Sequence, residues 1–251
     1  MLTPYTKTFN IFSKIKSPTI PTNYRKTFEA LRVSTRDVEK IYNQFEEIDL
    51  DGSHSISIDE FFDHFELKKS KFSVRCFTIF DEDNSNELDF REFGVSLWNY
   101  CTQDHLALIS FAFDLYDLDN SGSIDTNELT QMLAEVYGER VENNTYAQNI
   151  KKKIKSYSGV VPGQISKPEF VKFAQSHPAL LFPSFQVQRK LQQKAIGESF
   201  WNRLADKRFK AFGHDRIDIN TIRTLVTSNG FIKLIEQGTP ISLSHSQLKH
   251  S

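Results

Sequence analysis

Apolar residues recur three to four positions apart in four successive stretches, the spacing of an amphipathic helix. Val38, Ile41, Tyr42, Phe45 and Ile48 form the first stripe, and Val74, Phe77 and Phe80 the second. Leu106, Ile109, Phe113 and Tyr116 form the third, and Ala147, Ile150, Ile154 and Tyr157 the fourth. Each stripe ends at a polar stretch of twelve residues whose eighth place is apolar: Ile56, Leu88, Ile124 and Ile165. The thirteenth place is apolar again (Phe61, Phe93, Leu129 and Phe170) and begins a new helical stripe. Phe93, Leu97 and Trp98 continue one such exit helix; Leu129, Met132, Leu133 and Val136 continue another, which Gly138 stops. Ser34-Thr35-Arg36-Asp37 starts the first helix, with Ser34 as cap and Asp37 returning the bond. Helix, loop, helix therefore repeats four times, and the pattern predicts an all-α fold.

The polar stretches carry the chemistry. Asp117-Leu118-Asp119-Asn120-Ser121-Gly122-Ser123-Ile124-Asp125-Thr126-Asn127-Glu128 has side-chain oxygens at places 1, 3, 5, 9 and 12 and glycine at place 6. This is the pattern of a calcium loop, and the chain resembles the EF-hand family. Ca²⁺ takes six to eight oxygens at about 2.3–2.6 Å. Here Asp117, Asp119, Ser121, the Ser123 carbonyl, Asp125 through a water, and both oxygens of Glu128 would supply them. Gly122 would take the left-handed bend. Asp81 to Glu92 is a second such loop, with Asp81, Asp83, Ser85, the Glu87 carbonyl, Asp89 and Glu92 as ligands, and Asn86 at the bend. Asp49 to Glu60 is a third, with Asp49, Asp51, Ser53, the Ser55 carbonyl, Ser57 and Glu60. His54 must bear its left-handed turn, and only three of the ligands are carboxylates, so this site is expected to be the weakest; a loop that folds as an EF-hand but stays empty at resting calcium is the alternative. Ser158 to Glu169 keeps Ile165 and Glu169 but has Ser158, Val160 and Pro162 at places 1, 3 and 5. It is expected to be structural and empty.

The loops start at residues 49, 81, 117 and 158, and the uneven steps resemble the calcineurin B-like branch of EF-hand proteins. The resemblance implies paired hands, joined through the residues at place 8. The expected fold is two lobes of paired EF-hands with a helical C-terminal extension. Residues 1–33 are read as an N-terminal arm, 34–101 as the first pair, 102–178 as the second pair and 179–251 as extension and tail. Pro4, Pro18 and Pro21 make residues 1–24 a loose arm, with a short helical turn near Thr8–Ile15 and Tyr5, Phe9 and Phe12 docking locally. Pro178 and Pro183 break the chain after the fourth hand. Phe185 to Phe212 then reads as one or two helices with Val187, Leu191, Ile196, Phe200 and Leu204 near one face and Trp201 beside it. A short strand and a helix are expected within residues 214–236, and residues 238–251 read as a polar tail.

Charge sharpens this division. Residues 181–251 hold 11 Lys/Arg against 5 Asp/Glu, whereas residues 1–180 hold 20 against 27, so a basic extension follows an acidic body. No base-stacking or groove-reading motif accompanies the basic part, so no nucleic-acid partner is expected. Only Cys76 and Cys101 are present, which argues against a disulfide framework and for a reducing compartment, the cytoplasm. No apolar run is long enough to span a membrane. Met1-Leu2-Thr3 lacks the glycine required for myristoylation. No glycine-rich phosphate loop appears and the seven His are scattered, so no enzyme is expected. The expected function is that of a calcium sensor or regulatory subunit, whose apolar groove binds an amphipathic helix of an enzyme or transporter. A calcium buffer or constitutively loaded structural protein is the alternative. Contact of the basic extension with a membrane surface is a third reading, and its packing in cis over the groove, anchored by Trp201 and Phe200, a fourth.

Overall fold

The computed structural model describes residue 20 and residues 22–138, 141–155 and 163–212. The turn expected near Thr8–Ile15, its docking aromatics, Tyr157, the places Ser158, Val160 and Pro162, and everything expected beyond Phe212 lie outside the described residues.

The first pair comprises α2 (Thr35–Ile48), β1 (Ile56–Ser57), α3 (Ile58–His64), α4 (Lys71–Phe80), β2 (Glu87–Leu88) and α5 (Phe90–Cys101). The second comprises α6 (His105–Tyr116), β3 (Ser123–Ile124), α7 (Thr126–Tyr137), α8 (Thr145–Lys155), β4 (Ile165–Ser166) and α9 (Lys167–Ser176). The apolar place-8 residues pair the loops as expected. Ile56 stands opposite Leu88 and Ile124 opposite Ile165, both antiparallel, and all four side chains are buried. A fourth loop without acids at places 1, 3 and 5 thus still completes the third loop's strand pair. The striped residues Phe45, Ile48, Phe77, Phe80, Phe113 and Ile154 are likewise buried in one continuous apolar cluster that runs through both pairs. The pairs touch directly. α4 packs on α6, Phe72 stacks obliquely on Tyr116 with ring centres 5.2 Å apart, and Arg75 Nη2 donates to Asn120 Oδ1 at 2.9 Å.

One helix is not legible in the apolar pattern. α1 (Thr22–Ala30) begins inside the stretch read as a loose arm. Its anchor is Phe28, fully buried against Phe90, and Tyr24 meets Phe90 edge-on at 5.3 Å. Gly94 on α5 makes room for it: a Cβ there would lie 2.5 Å from Phe28 Cζ. Alanine favours a helix over glycine by roughly 0.5–1 kcal/mol, but forcing a methyl into a filled site costs about 1–3 kcal/mol. Gly94→Ala is therefore expected to lower the melting temperature. A melt that stays put or rises would mean that α1 does not sit on α5.

The extension is two helices. A 3-10 turn over Pro178–Leu181 leads into α10 (Phe182–Lys194), and α11 (Glu198–Phe212) follows. Pro183 does not break the chain. It stands in the first turn of α10, where a missing N–H costs nothing. The break comes instead at Ile196 and Gly197, both with positive φ (69° and 105°). α10 packs on α5 of the first pair and on α6 and α7 of the second. Val187 and Leu191 are its buried anchors; Trp201, Phe200, Leu204 and Phe212 are those of α11. The Trp201 indole N–H donates to Ala195 O at 2.6 Å, which closes the elbow between the two helices. Arg208, one of the basic residues of the extension, is buried, with its guanidinium 4.7 Å from the Trp98 ring centre. Cys76 and Cys101 are unpaired and buried in the first pair, and burial pushes both thiols well above the ordinary range. No helix among the described residues is long and apolar enough to cross a membrane.

Candidate functional site

Each of the first three loops starts where its entering helix stops. The place-1 aspartates Asp49, Asp81 and Asp117 close α2, α4 and α6, with backbone N–H groups donating to Phe45, Phe77 and Phe113 O. Their carboxylates then fold the loop. Oδ1 accepts from the N–H at place 5 (Ser53, 3.0 Å; Ser85, 3.0 Å; Ser121, 2.9 Å). Oδ2 accepts from the N–H at place 6 (His54, Asn86 and Gly122, 2.9 Å each). The bend at place 6 is left-handed in all three, with φ of 65° at His54, 66° at Asn86 and 82° at Gly122. A second left-handed residue stands at place 4 in each: Gly52, Asn84 and Asn120. Glycine and asparagine are the residues that tolerate this region, so place 4 carries a readable signal that the ligand pattern overshadows.

The acidic side chains converge. One carboxylate oxygen each from Asp49, Asp51 and Glu60 lies within 4.8 Å of the others, and the same holds for Asp81, Asp83 and Glu92 and for Asp117, Asp119 and Glu128. Oxygens bound at about 2.4 Å around one cation are separated by at most about 4.8 Å, so the three sets fit a calcium shell. Two further oxygens join them. The place-5 hydroxyl lies 3.0 Å from the place-7 carbonyl in every loop: Ser53 to Ser55 O, Ser85 to Glu87 O, and Ser121 to Ser123 O.

Places 9 and 12 do double duty. Ser57, Asp89 and Asp125 are the N-caps of α3, α5 and α7, each in a capping box with the glutamate three residues on. Glu92 N donates to Asp89 Oδ1 at 2.7 Å, and Glu128 N to Asp125 Oδ1 at 2.9 Å. The place-9 side chains are thus committed on one oxygen to the helix start, which suits a ligand that acts through a water. The place-12 glutamate spans its loop: Glu92 Oε1 accepts from Glu82 N at 2.9 Å and Glu128 Oε1 from Leu118 N at 2.7 Å.

Burial ranks the loops. Asp81, Glu92, Asp117 and Glu128 are buried, whereas Glu60 of the first loop is half-buried. Burial pushes the Glu92 carboxyl up, against the backbone N–H bonds from Asp89 and Glu82 that hold it down. A divalent cation would relieve that cost. For Glu60 the burial cost is outweighed by bonds from the Ser57 hydroxyl, Ser57 N–H and Leu50 N–H, so its carboxyl lies lower than usual. Ser55 Oγ donates to Glu87 Oε2 at 2.5 Å across the β1–β2 pair, tying loop one to loop two.

The fourth loop differs in kind. Its Glu169 accepts from Ser166 N and Ser166 Oγ at 2.8 and 2.6 Å, so it caps α9. Ser123 Oγ reaches Gln164 Oε1 at 3.1 Å, which adds a side-chain link to the β3–β4 pair.

Comparison with known proteins agrees with this geometry. A family model for the EF-hand domain matches residues 108–138, the third hand. The chain is 35% identical over 135 residues to the type 2 calcineurin B protein of Rattus norvegicus, a match that covers 53% of this chain and 77% of that protein. It is 34% identical over 149 residues to the type 2 calcineurin B protein of Mus musculus, 58% of this chain and 83% of the relative. With calcineurin B of Naegleria gruberi the identity is 33% over 138 residues, 55% and 78% of the two chains. The chain belongs to the calcineurin B-like branch of the EF-hand family, whose ion is Ca²⁺.

Proposed function

We propose that this protein is a calcium-responsive, non-catalytic regulatory subunit that binds an amphipathic helix of a partner enzyme or transporter. Its calcineurin B relatives are, by name, subunits of a larger assembly. Calcium enters the third loop through Asp117, Asp119, Ser121, Ser123, Asp125 and Glu128. It enters the second through Asp81, Asp83, Ser85, Glu87, Asp89 and Glu92. The first loop, with Asp49, Asp51, Ser53, Ser55, Ser57 and Glu60, binds most weakly, in keeping with its more open Glu60. The convergence of carboxylates within each of these three loops supports a cation-binding role.

The observation that carries the partner reading is the seat of α10. The EF-hand body accepts a helix on a face built from α5, α6 and α7, so its shape is that of a helix acceptor. Beside α10 a cleft of about 740 Å³ stays open, with Leu67, Phe72, Ala134 and Val187 among its lining. A partner helix would lie there, along α10 and between the two pairs. The test is an environment-sensitive apolar dye added to the full chain. Its emission should rise with calcium and fall back with a chelator. Equal emission in both states would replace the sensor with a constitutively loaded structural protein.

That second reading is favoured by one observation, the tight docking of α10 and α11 on the body. The membrane-surface reading draws no support from the basic residues, since many of them serve the protein itself. Lys194 pairs with Glu66 at 2.6 Å, Arg203 and Lys207 with Asp37, and Arg208 bonds Asn99 O.

His54 gives a further expected result. A non-glycine residue in the left-handed region costs roughly 1–3 kcal/mol, and glycine costs about 0.5–1 kcal/mol in lost freedom. The net gain on His54→Gly is on the order of 1 kcal/mol, so calcium at the first loop should tighten by about fivefold. Calorimetric titration of the full chain reads this directly, and a first-site affinity that falls would count against the strain.

A further inference from the structure

α2 and α5 pack against each other, and both are levers of the first pair. α2 runs into loop one and α5 runs out of loop two. Their far ends, at Ser34–Asp37 and Asn99–Gln103, lie roughly 20 Å from the loops at 1.5 Å of rise per residue. When an ion turns such helices, the far ends move most.

The extension fastens onto both far ends. At the end of α5, the last four carbonyls have no partner within the helix. Thr102 N and Oγ1 take Trp98 O. The extension bonds the other three, Tyr100 O in addition to a long local bond from Gln103 N at 3.5 Å: Arg208 Nη1 donates to Asn99 O at 3.0 Å, Gln188 Nε2 to Tyr100 O at 2.8 Å and Gln192 Nε2 to Cys101 O at 2.7 Å. Arg208 also reaches Thr102 Oγ1 at 3.0 Å. Tyr100 Oη returns a bond to Ser184 O at 2.8 Å.

At the start of α2, Asp37 is 4% exposed and therefore needs a partner for its charge. Arg203 of α11 grips it with both arms, Nη2 to Oδ1 at 2.7 Å and Nη1 to Oδ2 at 3.1 Å. Lys207 adds a bond to Oδ2 at 3.3 Å and the Ser34 hydroxyl one at 2.7 Å. Burial works against the Asp37 charge, yet these bonds together hold its carboxyl well below the usual carboxylate range. α11 thus spans from the first turn of α2 to the last turn of α5, with Phe200 near Lys40 of α2 and Phe212 against Trp98 of α5.

We propose that the far ends of α2 and α5 form a docking surface for a basic amphipathic helix, that α11 occupies it as a clasp, and that clasp closure and calcium in loops one and two reinforce each other. The chemistry of the surface sets the kind of helix it takes. A buried carboxylate asks for a forked cation, and an array of helix-end carbonyls asks for N–H donors. The sign of the coupling follows from which helices the clasp holds. α2 leads into loop one and α5 out of loop two, and α11 holds their far ends in the arrangement in which the carboxylates of those two loops lie at calcium-shell distances; loop three, whose carboxylates converge equally, lies between α6 and α7. Whatever holds that arrangement raises affinity for the ion, and by reciprocity the ion strengthens the clasp.

The inference rests on the loop assignment above, and the experiment separates the two. In the full chain, Glu92→Gln first establishes whether loop two binds; unchanged stoichiometry would sink the assignment and the clasp with it. Given that binding, the pair Arg203→Gln and Lys207→Gln is expected to lower the first-pair calcium affinities by about tenfold, within the usual range of coupling. The third-loop affinity should not change. Asp37→Asn should act in the same direction from the opposite side. In the unaltered chain, calcium should slow amide exchange across residues 198–212 by a similar factor, a readout that needs no variant. First-pair affinities within twofold of the unaltered protein, or exchange in α11 indifferent to calcium, would each overturn the clasp.

Discussion

Glu128→Gln is expected to remove one calcium ion from the titration of the full chain. The substitution changes one atom but strikes three functions. A bidentate carboxylate contributes two of the six to eight oxygens and a full negative charge, and affinity follows ligand charge. The same carboxylate accepts from Leu118 N on one oxygen and from Asp125 N on the other. A glutamine has one acceptor oxygen and cannot keep both bonds. Because Glu128 is buried, water does not replace what is lost. Binding at the third loop should weaken by about 100-fold or more, the span that charge count and rigidity give to such sites. The control is Glu169→Gln. Glu169 caps α9 through Ser166, and its loop has no acidic partner in the sequence, so calcium stoichiometry should be indifferent to it. If Glu128→Gln leaves the stoichiometry as it was, the assignment of the third loop fails.

Trp201→Ala should produce the largest loss of stability. Trp201 is fully buried, meets Phe200 edge-on with ring centres 4.8 Å apart, and donates its indole N–H to Ala195 O at 2.6 Å. Truncating a buried tryptophan to alanine costs about 3–5 kcal/mol. The substitution also strands the Ala195 carbonyl at the elbow between α10 and α11. For a chain of this size the melting temperature should fall by roughly 10 °C or more. Trp98, the other tryptophan, remains as a fluorescent reporter of the transition because it lies under Arg208 and Phe212. A loss below about 1 kcal/mol would show that the extension is an appendage and not part of the core.

The hands are legible in the sequence because a cation's shell leaves a twelve-residue loop little freedom. Asp117, Asp119, Gly122, Ile124 and Glu128 each answer to a separate demand: charge, reach, a left-handed turn, strand pairing, closure of the cage. Five independent demands met in order leave little room for chance. The fourth loop's part in the strand pair is legible for the same reason, since Ile165 keeps the pairing demand.

The docking of the extension is only partly readable. Phe200, Trp201 and Leu204 announce an apolar face, but nothing in their spacing says which carbonyls or carboxylate would face it. Gln188, Gln192 and Arg208 look like surface residues of a basic helix. Their meaning lies in the end of α5, about 90 to 110 residues earlier in the chain. Spacing presents Asp37 as a capping partner of Ser34 alone; its carboxylate accepts from the Ser34 hydroxyl and also from Arg203. α1 escapes notice because its seat is a gap left by Gly94, and an absent side chain writes no pattern into the helix that fills it.

The two buried thiols have a use of their own. Cys76 lies on α4 and Cys101 at the end of α5, the turn that the extension covers. Alkylating reagents act on the thiolate, and burial holds both groups in the protonated, inaccessible form. Labelling at neutral pH must therefore wait for the helices to part. Peptide mapping of which cysteine reacts first, and how fast, would time the opening of this part of the molecule with no probe added by mutation.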